Sequence, residues 1–311
     1  MPSRKTLLRI MLVCLGVAAV AGVIAILAGE VGSIWRVSAT TFITAAARVF
    51  DLSVGQMLWS RRTVFLALVV GSPVVLAILL RVVEAAGFSG VRMGGGRVIS
   101  GASIFGLFMW VLYLRFIVPV LGVFYGTSLI ADEVDDKTIT YLFTRPISRG
   151  AVLVGKYLAY LVVTAFVVLP SVMIVYALLV PLGGSGLAAT FPDLVKDLGL
   201  LALGLAVYGA VFAWIGAQLK HPLVIGLVFA FGWEQAILVV PGYLRKFTVA
   251  YYLQGLVPHA MPQDSALSML QSVFRDSPSI VVCLVMLLVF LAGFLFLAAR
   301  AVERREYVLE Q

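Results

Sequence analysis

Ile130-Ala-Asp-Glu-Val-Asp-Asp-Lys-Thr-Ile-Thr-Tyr-Leu-Phe-Thr-Arg-Pro-Ile-Ser-Arg149, running on to Gly155-Lys156, is a polar interruption in a mostly apolar chain. It lies between two long apolar runs and therefore reads as a loop at one face of a membrane. Asp132, Glu133, Asp135 and Asp136 crowd its start, and Arg145, Arg149 and Lys156 close it. Between them Ile139, Leu142 and Phe143 recur at helical spacing, which predicts a short amphipathic helix. Pro146 stops that helix, because the residue before a proline is pushed out of the helical region. An acid cluster, an apolar stripe and a basic exit make a docking surface rather than a bare connection.

Composition sets the class. Hydrophobic residues make up 62% of the 311 positions and charged residues 12%, with a mean hydropathy of +1.09. A soluble chain is near half apolar and a quarter charged, so this is an all-α polytopic membrane protein. A transmembrane β-barrel would show short alternating segments instead of long continuous runs. The formal net charge of +8 matches the bias of cytoplasmic loops toward Lys and Arg. No basic patch on a soluble face points to nucleic acid. Cys14 and Cys283 both lie in apolar runs and read as buried small hydrophobes.

Seven apolar runs follow in order. The first, Leu7 to Ala28, is long enough to span a hydrocarbon core of about 30 Å and too long for the apolar part of a cleaved signal. Phe50 to Trp59 reads as an interfacial amphipathic helix, and residues 34 to 52 as a stretch that can cross or re-enter. Six more runs are Val64 to Val83, Phe105 to Ile130, Val152 to Val180, Leu198 to Leu219, Leu223 to Val240 and Ser279 to Ala299. Pro170 is the expected kink in the fourth of the seven. Gly94-Gly95-Gly96 and Gly183-Gly184-Ser185-Gly186 mark flexible loops. Placing the Asp132–Lys156 loop in the cytoplasm gathers Arg61, Arg62, Lys220, Arg300, Arg304 and Arg305 on the same side. The outer segment 242–278 then carries Tyr243, Phe247, Tyr251, Tyr252 and Leu253, which read as an interfacial helix with aromatic anchors.

Asp132-Glu133, Thr138, Tyr141-Leu142, Arg145-Pro146-Ile147-Ser148-Arg149 and Gly155-Lys156-Tyr157 together resemble the signature of the type-2 ABC exporter permeases. The hydropathy layout over residues 60 to 302 agrees with that family. The resemblance implies a six-helix transmembrane core, here with one extra N-terminal hydrophobic helix. Its divisions are an N-terminal segment with an elbow helix (1–60), the permease domain (61–302) with a coupling loop (131–156), and a cytoplasmic tail (303–311). It implies that Asp132, Glu133, Asp136, Thr138, Tyr141, Leu142, Arg145, Pro146 and Arg149 couple the chain to a separate ATPase subunit. That partner, in two copies, would carry ATP and Mg, this chain holding no cofactor or metal. A second permease copy, as homodimer or heterodimer, completes the assembly in a bacterial-type inner membrane.

Two intramembrane charges stand apart. Arg115 and Glu234 each lie within an apolar run, where a charge costs about 2.5–3.5 kcal/mol on insertion scales and usually faces the bundle interior or a wet cavity. They are candidates for a translocation route or gate, or for a buried structural pair. An ion-coupled secondary transporter is the alternative, and it would use this pair; such carriers place acids at the midplane on broken helices. Gly150-x-x-x-x-Gly155-Lys156 has a Walker A spacing, but Tyr157 stands where a magnesium-binding hydroxyl belongs and the flanks are membrane helices. The acid cluster lacks the glycine and closing glutamate of a calcium loop. His221 and His259 stand alone without metal-ligand spacing. No Ser-His-Asp set or His-Glu-x-x-His is present. The outer loops select no substrate.

Overall fold

The computed structural model describes residues 39–86, 92–93, 97–98, 100–135, 149–182, 186–239, 243–257 and 278–304. Its helices are α1 (Ala39–Leu58), α2 (Arg61–Ala85), α3 (Gly101–Ala131), α4 (Arg149–Leu179), α5 (Leu187–Gln218), α6 (Pro222–Ile237), α7 (Val249–Gln254) and α8 (Ile280–Arg304). The all-α polytopic reading holds. Five of them, α2, α3, α4, α5 and α8, are long and apolar enough to cross a membrane, and α6 is a shorter apolar helix. These six overlap the six core runs of the sequence, although α5 begins at Leu187, well before the expected start at Leu198. The expected N-terminal span, Leu7 to Ala28, lies outside the described residues.

The glycines explain how these helices approach one another. In lipid there is little hydrophobic drive between helices, so small residues that permit close backbone contact decide the interfaces. Gly122 and Gly126, four apart on α3, face Phe212 of α5; a Cβ at Gly126 would stand 2.9 Å from the Phe212 Cβ. Gly216 of α5 lies so close to α3 that its Cβ would meet the Thr127 carbonyl oxygen at 2.3 Å. Gly209 makes room for the Tyr160 ring of α4. The Tyr160 and Tyr157 hydroxyls donate to the Leu205 and Ala206 carbonyls at 3.0 and 2.7 Å.

Hydroxyl groups supply partners beside the two prolines inside the bundle. Pro73 in α2 has no N–H for the Val69 carbonyl, and the Ser72 hydroxyl donates to that oxygen at 2.8 Å. Next to Pro170 of α4, Ser171 donates to the Val70 carbonyl at 3.0 Å and pairs with the Tyr113 hydroxyl at 2.7 Å. One serine thus ties α2, α3 and α4 together in the buried core.

Helix α3 is wound wide over Phe108–Ile117 and again over Gly122–Gly126, with π-type turns. Helix α6 has the same feature over Val228–Trp233, directly before Glu234. Such turns change the angular position of every residue beyond them and are frequent at functional sites.

Two sequence expectations change. The stretch 39–58 is one continuous helix lying along α4, rather than an interfacial piece confined to Phe50–Trp59. Ala46 and Val49 are buried there, and Gly155 is the reason, since a Cβ on it would sit 2.6 Å from the Ala46 carbonyl oxygen. The second change is in the outer segment. Tyr243–Phe247 is a 3₁₀ turn with Leu244 and Phe247 exposed, but α7 enters the bundle and buries Val249, Ala250, Tyr252 and Leu253. Leu253 fits over Gly204 of α5, and the Tyr252 ring meets Phe290 of α8 edge-on at 5.8 Å. Aromatic residues that read as interfacial anchors are here partly internal packing. A short antiparallel pair, Arg92 with Val98 and Met93 with Arg97, flanks the triple glycine.

Candidate functional site

Glu234 is fully buried. Its helix α6 starts at Pro222, right after the exposed Lys220-His221 turn, where proline's missing N–H costs nothing. At 1.5 Å per residue Glu234 lies about 18 Å from that end, and Tyr208 about 15 Å from the Gln218 end of α5. Both positions fall near the middle of a hydrocarbon layer of about 30 Å.

The carboxylate accepts from a side chain of α5 and from the first backbone N–H groups of α7, those of Val249 and Ala250. The Tyr208 hydroxyl donates to Oε2, and the backbone N–H of Val249 donates to Oε1 at 3.1 Å. Val249 is the first residue of α7. Thr248, at the N-cap position, does not cap the helix; its hydroxyl donates to the Arg245 carbonyl at 2.7 Å. Glu234 therefore supplies from another helix the acceptor that an N-cap normally provides, with a charge suited to the positive end of the helix dipole. It is a three-way clasp joining α5, α6 and α7. Tyr208 is held in turn by stacking on Phe212, with ring centroids 6.1 Å apart and planes 13° from parallel.

Arg115 stands near this clasp without joining it. Its guanidinium lies over the Trp110 ring at 5.1 Å, and its buried Nε has no hydrogen-bond partner among the described residues. Its charge acts on Tyr208 and Glu234 through space. No ion pair forms between Arg115 and Glu234, so the structural pair considered from sequence is replaced by a carboxylate clasp with a cation beside it. Tyr208, Thr248 and Val249 were missed in the sequence because a tyrosine in an apolar run and a backbone N–H carry no local signal of such a contact.

At the end of the bundle that carries the polar loop, Arg149 begins α4, and its contacts are defined. Its Nη1 donates to the Val302 and Glu303 carbonyls, at 3.4 and 3.3 Å, filling acceptors that the end of α8 leaves open. Asp132 and Glu133 fall in the helical run Ser128–Asp135 that continues α3. Asp136, Thr138, Tyr141, Leu142, Arg145 and Pro146 lie outside the described residues, as does His259. Gly150 to Lys156 form the first turns of α4, with Gly150, Gly155 and Lys156 buried. A phosphate-cradling loop needs those positions free of helix. Among the described residues no group of three or more His, Cys, Asp or Glu is placed to hold a metal ion.

The family model described as ABC-2 family transporter protein matches residues 10–307. The chain belongs to the ABC-2 transporter family. It is a multi-pass membrane permease of an ABC transporter, as the motif around Arg145–Arg149 implied. No curated protein matches this ABC-2 permease.

Proposed function

We propose that the chain is the membrane-spanning subunit of an ATP-driven exporter in a bacterial-type inner membrane. Two copies of the permease would assemble with two separate ATPase subunits, which hold ATP and Mg; this chain contributes no catalytic group. Asp132, Glu133, Asp136, Thr138, Tyr141, Leu142, Arg145, Pro146 and Arg149 form the docking surface for the ATPase. The observation that carries this reading is the Arg149 clamp: the exit of the polar loop is bonded to the end of α8. A push on the loop therefore reaches two spans at once. Gly155 against Ala46 carries the same motion into α1. Rigid-body displacement of this kind is a common route from domain closure to an altered pathway.

Arg115 and Glu234 belong to the gate. A shift of α6 against α5 separates Tyr208 from Glu234 and releases α7 from the bundle interior. An ion-coupled carrier would need Glu234 free to exchange its ion, whereas both of its oxygens are bonded.

The test is co-purification in detergent with the candidate ATPase, for the wild type and for Glu133→Arg. The wild type should retain the ATPase and stimulate its turnover, and the variant should lose it. Transport in vesicles that follows an ion gradient without ATP would refute the exporter reading.

A further inference from the structure

The cytoplasmic ends of α5 and α8 meet beside an open cleft of about 360 Å³, lined by Gln218, Leu297, Arg300, Ala301 and Arg304. The four α8 residues recur at helical spacing and share one face. Along that face the chemistry changes within two turns. Leu297, 42% exposed, presents an apolar wall about 10 Å inside the end of α8 at 1.5 Å per residue. Arg300 and Arg304 follow toward the cytoplasm. The Arg300 guanidinium lies over Phe296 at 5.9 Å, so its stem follows apolar surface while its charged end stays at the cleft. Among the described residues neither arginine has a carboxylate within ion-pair distance, whereas Arg81 is paired with Glu84 and Lys196 with Asp193. Lys220 lies just past Gln218, and the rim stays positive even with Glu303 counted.

We propose that this cleft binds the phosphate of an anionic phospholipid from the cytoplasmic leaflet, with its acyl chain along Leu297. Guanidinium groups match phosphate oxygens in a planar fork, and two of them one turn apart make a stronger site than scattered cations. Basic pockets between helices on the cytoplasmic side suit acidic headgroups. The apolar wall separates a lipid from a free anion, which would have no use for Leu297. It also separates a lipid from a docked soluble protein, which would not reach below the headgroup level. The site bears on coupling, because the Arg149 clamp holds the same end of α8. It does not depend on the exporter reading.

The experiment uses the full-length chain, purified in detergent and exchanged against dioleoylphosphatidylglycerol or dioleoylphosphatidylcholine, with retained lipid counted by native mass spectrometry. Each basic residue near an anionic surface contributes about fivefold, so the pair should favour phosphatidylglycerol by about thirtyfold. Arg300→Gln/Arg304→Gln should erase that preference and Arg300→Lys/Arg304→Lys should keep most of it. Arg81→Gln, at the other end of the bundle, should leave it unchanged. Should the double glutamine variant fail to fold, Arg304→Gln alone, at an exposed position, should cost about fivefold. Equal retention of both lipids by the wild type overturns the proposal, as does a preference that survives loss of both arginines. Displacement of phosphatidylglycerol by inorganic phosphate at equal concentration would make this a free-anion site and overturn it too. If the glutamine variants keep the lipid preference but lose the ATPase, the cleft belongs to the protein partner.

Discussion

Replacing Tyr208 by Phe removes one hydroxyl from the clasp and leaves the ring stack on Phe212 in place. The Glu234 Oε2 atom then loses its donor inside a fully buried site. An unsatisfied buried polar group costs about 1–3 kcal/mol, more when charged, while interhelical hydrogen bonds measured in a membrane protein average about 0.6 kcal/mol. A loss of about 1–2 kcal/mol is therefore expected for Tyr208→Phe. Glu234→Ala strands both the Tyr208 hydroxyl and the Val249 N–H, and the same reasoning gives about 2–6 kcal/mol. Glu234→Gln keeps one acceptor oxygen but turns an NH₂ toward a donor, so it should fall between the two. The assay is reversible unfolding in mixed micelles, with hydrogen exchange at the Val249 amide as the local readout. The two substitutions share one bond, so Tyr208→Phe/Glu234→Gln should cost less than the sum of its parts by about 0.5–3 kcal/mol, the range of coupling between contacting residues. Strict additivity, with the Val249 amide as protected in Glu234→Ala as in the wild type, would refute the clasp.

Gly216→Ala places a Cβ 2.3 Å from the Thr127 backbone oxygen, which cannot swing away, and overpacking of this kind costs about 1–3 kcal/mol. Gly71→Ala, with nothing within 4 Å, should be neutral or slightly stabilising in the same unfolding assay. Arg149→Ala frees the end of α8 and should lower permease-stimulated ATP turnover several-fold while leaving basal turnover of the ATPase alone intact, and Arg149→Lys should restore part of the loss.

Much of the fold is written in single residues and their order. Apolar runs bounded by Arg61-Arg62, Lys220-His221 and Arg300 mark where helices begin and end, since a hydrocarbon layer admits backbone only as helix when no sheet is closed. The Asp132–Lys156 stretch announces its family, because its polar, locally patterned residues stand out between long apolar runs.

What the sequence leaves open are contacts between distant positions. Val249 and Glu234 are brought together by the return of the chain into the bundle, and no spacing rule anticipates it. The aromatic residues around Tyr251 read as interfacial anchors, and Gly204 beneath Leu253 shows where this segment packs inward instead. Arg115 and Glu234 are conspicuous in sequence because charge in an apolar run is costly. Only tertiary structure could show that the acid caps a helix and that the cation remains outside the bond. Burial cost is a local property that composition reveals; the choice of partner depends on which helices meet, and that is settled by packing.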